Sequence, residues 1–261
     1  MSKMIVLLPI KDITIDRNKI LKIQRDDLLL ILNDQHRLNQ YADHIVQAQE
    51  KLLDGVDPYL TQQLSQTIEQ LIQVLSDSKN KLKEKRFNVL QKWLGIDIEY
   101  DAGKIEFYKN LEFLLAKANQ LSQKLQIEIQ KSQKSIVQIN QYRMEMAHYI
   151  VALEEFFNEY PQFIKDIHPL DNFRERLSKK ITSLMTLQAN NDIAIMQMQL
   201  SQQIAFTLLD RFNESQQLLI PAWLYYVKQS NQKSSSIDLE KLDHARLDLI
   251  STLKKSLERI T

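Results

Sequence analysis

The hydrophobic residues of this chain recur in steps of three and four over long stretches, which is the spacing of amphipathic helices. Turn-like or linker-like compositions interrupt the pattern at 54–58, 95–103, 160–171 and 228–236. The pattern predicts five helices, at about 18–53, 59–93, 104–160, 171–219 and 237–260. At 1.5 Å per residue the third would extend about 80 Å. It must therefore lie against partner helices of similar reach, in this chain or in another.

Several positions within the apolar seams of these helices are polar. They are Gln35, Gln49, Ser78, Ser122, Ser132, Arg143, Asn191 and Ser201. Polar seam residues weaken packing but help to set register and oligomeric state. We predict an all-α fold, an elongated antiparallel helical bundle or coiled coil of about five long helices. It forms a single elongated domain over 18–260, and residues 1–17 form an extended arm that packs on it.

The composition supports helices and removes several kinds of site. The 261 residues include three Gly and five Pro, and no Cys, so thiolate nucleophiles and all-thiolate metal sites are excluded. The formal charge of +1 does not favour nucleic-acid binding. The apolar N-terminal stretch is too short to span a bilayer and lacks the features of a secretory signal. We expect a cytoplasmic protein without a transmembrane segment, and peripheral membrane association stays open.

The stretch from Leu208 to Trp223, LLDRFNESQQLLIPAW, is unusual because a polar helix runs into apolar residues around a proline. Pro221 has no N–H, and in a helix its ring would clash with the carbonyl of Gln217, so we predict that the helix stops or kinks there. Ile220 is expected to be extended because it precedes proline. Two interpretations of this elbow stay open, a structural corner on neighbouring helices and a docking surface for a protein partner. The candidate residues are Asp210, Arg211, Phe212, Ile220, Pro221, Trp223, Tyr225 and Tyr226.

Candidate catalytic chemistry is sparse. Glu145 and His148 have the Glu-x-x-His spacing that di-iron helical bundles use in duplicate, but the chain has no second such pair. They are weak metal candidates. No phosphate-binding loop, dinucleotide turn, HExxH motif or nucleophile elbow occurs in the sequence. The residues therefore predict no catalytic site, no metal site and no cofactor.

The elbow and the C-terminal part resemble the TelA-like toxic-anion (tellurite) resistance family. Leu208 to Phe212 fit its Leu-hydrophobic-Asp-basic-hydrophobic run, and Ile220 to Trp223 fit its Ile-Pro-hydrophobic-Trp run. Ser236 to Ile260 is similar to the closing helix of that family, and YIVALEEF (149–156) and LDNFRERL (170–177) are weaker matches. The first half of the chain fits only by its helical pattern.

The chain departs from the family pattern at two places. Gln197-Met198-Gln199 stands where the family tends to have Gln-Ile-Arg, so Gln199 cannot replace that arginine. Between Trp223 and Ser236 a polar linker replaces a long helical excursion. The chain therefore resembles a shortened or divergent member of the family.

The resemblance implies an all-helical, non-enzymatic bacterial protein associated with resistance to tellurite and related stress. We hypothesise a helical scaffold that acts through other proteins of a stress or envelope complex, with seams that could also support self-association. A rival hypothesis is a helical-bundle metal- or anion-binding enzyme that uses Glu145 and His148. A third is a phage- or plasmid-borne coiled-coil structural component.

Overall fold

The computed structural model of the protein describes residues 6–34, 36–81, 96–162, 172–230 and 236–258. Helices dominate these ranges, and no β-strand occurs in them. The predicted all-α helical bundle is confirmed. None of the helices in these ranges is both long enough and apolar enough to cross a membrane.

The helices differ widely in length. They are α1 (Arg17–Ile23), α2 (Leu29–Asn33), α3 (Arg37–Gln40), α4 (Asp43–Glu50), α5 (Pro58–Lys81), α6 (Ile96–Glu159), α7 (Phe173–Glu214), α8 (Ile220–Ser230) and α9 (Ser236–Leu257). Two π-helical turns, Gln24–Leu28 and Ser215–Leu219, and two short 3-10 helices, Ile10–Asp12 and Tyr160–Gln162, complete the described elements.

The chain divides into two compact units. Unit 1 comprises Met1–Gly55 and Lys131–Leu200, and unit 2 comprises Val56–Gln130 and Ser201–Thr261. The single domain predicted over 18–260 is thus divided, and each unit has its own buried core. The spacing of hydrophobic residues does not indicate this division. The apolar faces of α6 and α7 continue with the same three- and four-residue spacing through residues 130 and 200.

The core of unit 1 forms where the N-terminal helices cover α6 and α7. Ile20, Leu28, Leu38 and Ile45 from the N-terminal segment are almost fully buried there. They pack in one cluster with buried residues of α6 and α7, which include Met146, Ile150, Leu153, Leu177 and Leu184. A smaller cluster joins Ile136 and Ile139 to Ile195 and Met198, next to Leu7, Leu52 and Leu53.

The core of unit 2 combines α5, the first part of α6, the end of α7, and α8 and α9. Leu64, Ile68, Leu71 and Leu75 of α5 are each at most 1% exposed and lie at the three- and four-residue spacing that predicts this helix. The start of α5 lies within one residue of the predicted position 59. Pro58 is its first residue, and Asp57 Oδ1 accepts the backbone N–H of Tyr59 at 2.9 Å.

The prediction of one continuous helix over 18–53 is wrong, although the buried residues along this segment keep a helical spacing. The helix ends at Asp34, which is extended (φ −142°, ψ 95°) and whose Oδ1 accepts the backbone N–H of His36 at 3.0 Å. A second break lies at Ala42, which has a left-handed backbone with φ 64°. Asp side chains compete for backbone groups in this way, but an alanine with positive φ has no signature in the sequence.

The region 95–103, predicted as a loop or short extended piece, is wrong from Ile96 onward because α6 already begins there. Gly103 lies inside this helix, and a Cβ atom at its position would meet no atom within 4 Å. A glycine inside a helix costs about 1 kcal/mol relative to alanine, which a helix of 64 residues tolerates. The predicted end of the second helix (82–93) and residues 163–171 of the predicted break at 160–171 lie outside the described residues.

The N-terminal arm is partly helical, because a 3-10 turn at Ile10–Asp12 and the start of α1 at Arg17 lie within the predicted 1–17. Arg143 Nη2 donates to the carbonyl oxygen of Leu8, and Leu7 packs on the small cluster of unit 1. The described part of the arm therefore packs on unit 1.

We predict that Ala42→Gly leaves the free energy of unfolding nearly unchanged. A left-handed alanine costs roughly 1–2 kcal/mol, and glycine removes that strain while losing a buried methyl group worth about 0.8 kcal/mol. Ala48→Gly, in the right-handed helix α4, is the matched control and should cost about 1 kcal/mol. Urea unfolding followed by circular dichroism measures both. Equal losses in the two variants would contradict the prediction.

Candidate functional site

The segment predicted as an elbow continues as a helix through Pro221. A π-helical turn, Ser215–Leu219, follows α7, and α8 begins at Ile220. Ile220 is helical (φ −64°, ψ −49°), and its N–H donates to Ser215 O, five residues earlier. The predicted stop and the extended Ile220 are therefore wrong. The wider turn relieves the clash that Pro221 would cause in a regular helix.

The π turn also decides which residues point inward. The buried positions advance from Ala205 to Leu208, Phe212 and Ser215 in steps of three and four. The next step, from Ser215 to Ile220, is five residues, and Trp223 follows three later. Ser215 Oγ donates to the carbonyl of Arg211 at 3.0 Å, a contact that tends to bend a helix.

The inner face of this segment belongs to the core of unit 2. Phe212 and Trp223 have no exposed surface, and Ile220 is 5% exposed. The indole of Trp223 meets the ring of Phe107 on α6 edge-on, with centroids 6.3 Å apart. These three candidate residues therefore fix the segment to the core and are not available to a partner.

The outer face of the segment carries a second set of apolar residues. Pro221 is exposed, Tyr225 is 58% exposed, and Leu218 is 65% exposed. Leu224 adds a side chain that is 37% exposed. Leu218, Pro221 and Tyr225 have the helical spacing that places residues on one face, and no charged residue lies between Glu214 and Lys228. We call Leu218, Pro221, Leu224 and Tyr225 the outer stripe.

The remaining candidates divide between these surfaces. Asp210 is exposed and Arg211 is half-buried, and both lie about one helical turn before the π turn. The side chain of Tyr226 lies outside the described residues. Leu218 and Leu224 are not among the candidates predicted from the sequence, although Leu218 belongs to the apolar residues around the proline. The signal that could have added both is the uncharged, largely apolar composition of this segment.

His148, the weak metal candidate, has a structural role in unit 1. It is 4% exposed, and both ring nitrogens have partners. Nδ1 lies 2.6 Å from the carbonyl of Met144, and Nε2 accepts the backbone N–H of Asp16 at 3.0 Å. Because a carbonyl only accepts and an N–H only donates, these two contacts place a proton on Nδ1 and the lone pair on Nε2. The Nε2 lone pair that a metal would need is used to hold the start of α1.

Glu145 does not join His148 in a shared site. Its carboxylate lies on the surface, 3.8 Å from Nε2 of His44. In the ranges described above, no group of three or more His, Asp or Glu side chains is arranged to hold a metal ion. Because Nε2 of His148 already accepts the backbone N–H of Asp16, this nitrogen is occupied, which argues against the rival enzyme hypothesis.

Unit 1 contains a connected network of buried polar side chains. Arg143, whose side chain is 3% exposed, binds Asp192 through Nε–Oδ1 at 2.7 Å and Nη2–Oδ2 at 2.8 Å. Gln188 Nε2 donates to the same carboxylate at 2.8 Å. Gln49 then links Gln188 (3.1 Å) to Asn191 (2.8 Å). Three of the predicted polar seam residues, Gln49, Arg143 and Asn191, thus meet each other through Asp192 and Gln188.

A cavity of about 560 Å³ lies beside α2–α4 in unit 1. Its wall includes Tyr149, whose hydroxyl donates to Asp27 Oδ2 at 3.0 Å, and Tyr41, whose hydroxyl donates to the carbonyl of Tyr149 at 2.7 Å. The rings of Tyr41 and His44 lie 5.2 and 5.3 Å from the ring of Tyr149. Left-handed Ala42 also lines the cavity. This cavity could not be predicted from the sequence, because its wall combines Tyr149 with residues more than a hundred positions earlier in the chain.

The two tyrosines of this wall are held in the neutral form. Burial, followed by the nearby charge of Asp27 and its hydrogen bond, raises the pKa of Tyr149 above its ordinary value. Burial likewise raises the pKa of Tyr41 well above 10. Both hydroxyls are therefore donors near neutral pH, and neither can act there as a phenolate base.

The chain is similar to a curated bacterial protein. The chain is 26% identical over 207 residues to Protein KlaA of Escherichia coli. The aligned region covers 76% of this chain and 79% of KlaA. No family model matches the chain, and no solved structure is similar to it. The similarity extends over most of both chains and is therefore wider than the local resemblance at the elbow and the closing helix.

We predict that the protein loses stability above about pH 10 through Tyr41 and Tyr149. A tyrosine with a raised pKa keeps its proton in the folded state while the unfolded chain, with an ordinary pKa near 10, loses it. The contribution is complete below pH 10 and falls as the pH rises further. The loss between pH 9 and pH 11 should be smaller in the Tyr41→Phe/Tyr149→Phe double variant, measured by urea unfolding. The same loss in both proteins would contradict this prediction.

We predict that His148→Phe lowers the free energy of unfolding by about 1–3 kcal/mol, because the partly buried N–H of Asp16 would lose its acceptor. The control is His44→Phe, at a side chain that is 60% exposed, and its effect should stay within about 0.5 kcal/mol. Urea unfolding of both variants tests the difference. Tight metal binding by the wild type that is lost in His148→Phe would restore the rival hypothesis.

Proposed function

We propose that this protein is a member of the TelA-like toxic-anion resistance family and a non-enzymatic helical scaffold in the cytoplasm. It contributes to tolerance of tellurite and related stress by holding protein partners, which bind to the outer stripe in unit 2. The similarity to KlaA over most of both chains and the residue matches at 208–223 and 236–260 support this proposal.

The observation that carries the proposal is the division of one helical segment into two apolar faces. The inner face, with Phe212 and Trp223, fixes the segment rigidly to the core of unit 2. The outer stripe offers Leu218 and Tyr225 at more than half exposure, without a charged residue beside them in the sequence. Interface centres are depleted in charge and enriched in aromatic residues. A rigid apolar stripe of this kind is suited to dock a partner.

The proposal assigns different roles to neighbouring residues. Trp223 acts through stability, because removing a fully buried tryptophan costs roughly 3–5 kcal/mol. Leu218 and Tyr225 act through binding, because their side chains are 65% and 58% exposed on the outer face of the segment. Variants of the outer stripe therefore separate the function from the fold.

We predict that Leu218→Glu/Tyr225→Glu abolishes function without unfolding the protein. In a native strain that lacks the gene, the wild-type gene should restore tellurite tolerance, and the double variant at equal abundance should not. The same variant should lose the partners that co-purify with the wild type. Ile105→Glu, at an exposed residue of α6 in unit 2, is the matched control and should behave as wild type.

Two outcomes would count against the proposal. Unchanged tolerance after deletion of the gene would remove the link to toxic-anion stress. Full complementation by the double variant would show that the outer stripe is not the docking surface. Circular dichroism and the unfolding midpoint of the purified variant confirm that its fold is intact.

A further inference from the structure

The part of α7 that lies in unit 1 has an outer face almost without charge. From Ile181 to Leu200 the only charged residue is Asp192. Charged residues make up 26% of the chain, so a stretch of this length would carry about five at that frequency. Asp192 is itself engaged by the buried guanidinium of Arg143. This part of the helix therefore presents no uncompensated charge to its surroundings.

The outer face nevertheless follows a strict heptad pattern. Its a positions are Thr186, Ile193 and Leu200, and its d positions are Thr182, Ala189 and Met196, all of which are exposed. Ile193, Met196 and Leu200 are 51%, 52% and 58% exposed. The stripe buried in unit 1, which includes Leu184, Ile195 and Met198, lies on the other side of the helix. An a/d pattern on an exposed face is the pattern of a helix–helix seam.

The two threonines add to the apolar character of this face. Thr186 Oγ1 donates to the carbonyl of Thr182 at 2.9 Å, and Thr182 Oγ1 donates to that of Ser178 at 3.0 Å. Because these hydroxyls bond back to their own helix, they need no partner from a docking helix. The side chains of the face are small over 182–190, beside a surface depression of about 540 Å³ whose lining also includes Lys179, and they are bulky over 193–200. Lys179 is paired with Glu175.

We propose that this face of unit 1, defined by the six residues Thr182, Thr186, Ala189, Ile193, Met196 and Leu200, pairs with the same face of a second copy of the chain in antiparallel orientation. In an antiparallel pair each a residue meets a d residue of the other copy. With the two-fold axis near residue 191, the layers join Thr182 to Leu200, Thr186 to Met196, and Ala189 to Ile193. Every layer combines one small and one large side chain.

Charge favours the same occupant. An uncharged face is electrostatically compatible with another uncharged face. A second copy of the chain carries an identical face of the same length. Ile127, an exposed residue of α6 in unit 2, differs because Lys124, Glu128 and Lys131 are its neighbours along the helix. An exposed apolar side chain among charges is ordinary surface, so the argument applies to the heptad face and not to Ile127.

The size of the contact predicts its strength. A seam of 19 residues is about 28 Å long, which is short for an interface that must bury about 1,000 Å² or more to be stable. We therefore expect a reversible, concentration-dependent dimer and not an obligate one. Formation of this dimer involves no residue of the outer stripe in unit 2. The dimer can therefore be disproved while the proposed function holds, and the proposed function can be disproved while the dimer holds.

The first test is sedimentation equilibrium of the full chain. The wild type should shift from monomer to dimer with rising concentration, and Met196→Glu should raise the dissociation constant about tenfold or more, since a carboxylate in the seam would be buried without a partner. Ile127→Glu, which places the same charge on an exposed residue elsewhere, should dimerise as wild type. Unchanged thermal unfolding of both variants shows that the fold is retained. A wild type that stays monomeric at every concentration would overturn the proposal.

The second test uses the absence of native cysteine. Thr182→Cys and Leu200→Cys lie about 27 Å apart along the helix, and a disulfide needs Cα atoms within roughly 7 Å. A mixture of the two variants under mild oxidation should form the mixed disulfide dimer, and each variant alone should not. Rapid self-linking of each variant alone would overturn the antiparallel arrangement.

Discussion

The buried polar side chains of unit 1 must satisfy each other, and this constraint fixes how its helices pack. Arg143 cannot leave its place between α6 and α7 without leaving Asp192 uncompensated, and loss of one partner of a buried ion pair costs roughly 3–5 kcal/mol. Gln188, Gln49 and Asn191 extend the same network to the N-terminal segment. Directional bonds of this kind define one register, whereas an apolar seam permits sliding. Among the described residues, the one buried side-chain oxygen or nitrogen without a hydrogen bond is Ser132 Oγ.

Much of the fold follows from periodicity, because burial in a helical bundle is a property of spacing. Leu64, Leu75, Leu125 and Ile139 lie at the three- and four-residue spacing that predicts the helices, and all are buried. Continuity is different, because a helix breaks or continues through local backbone energetics that spacing does not contain. Asp34 ends one helix and left-handed Ala42 precedes another, both without Gly or Pro, whereas Pro221 fails to end a helix because a π turn accommodates it.

The candidate site was predictable in position but not in orientation. The sequence located an apolar cluster around Pro221, yet it could not show that Trp223 points inward and Tyr225 outward, because that depends on a five-residue step in the buried positions. The partners of Arg143 and His148 were also hidden. Asp16 and His148 are 132 positions apart, and only the folded chain brings them together. A spacing motif such as Glu-x-x-His carries no record of such a distant backbone donor.

The π turn at Ser215–Leu219 also bears on how the length of this chain could change during evolution. A π turn holds one residue more than the corresponding α-helical turn. Deleting one residue there would shorten the step between Ser215 and Ile220 from five to four and keep the buried faces on both sides in phase, but it would also return Pro221 to a regular α-helix, where its ring clashes with the carbonyl four residues earlier. A deletion elsewhere in the segment would rotate Trp223 out of the core. The π turn and Pro221 therefore depend on each other, and a deletion at this turn keeps Trp223 in the core without strain only if Pro221 is replaced as well.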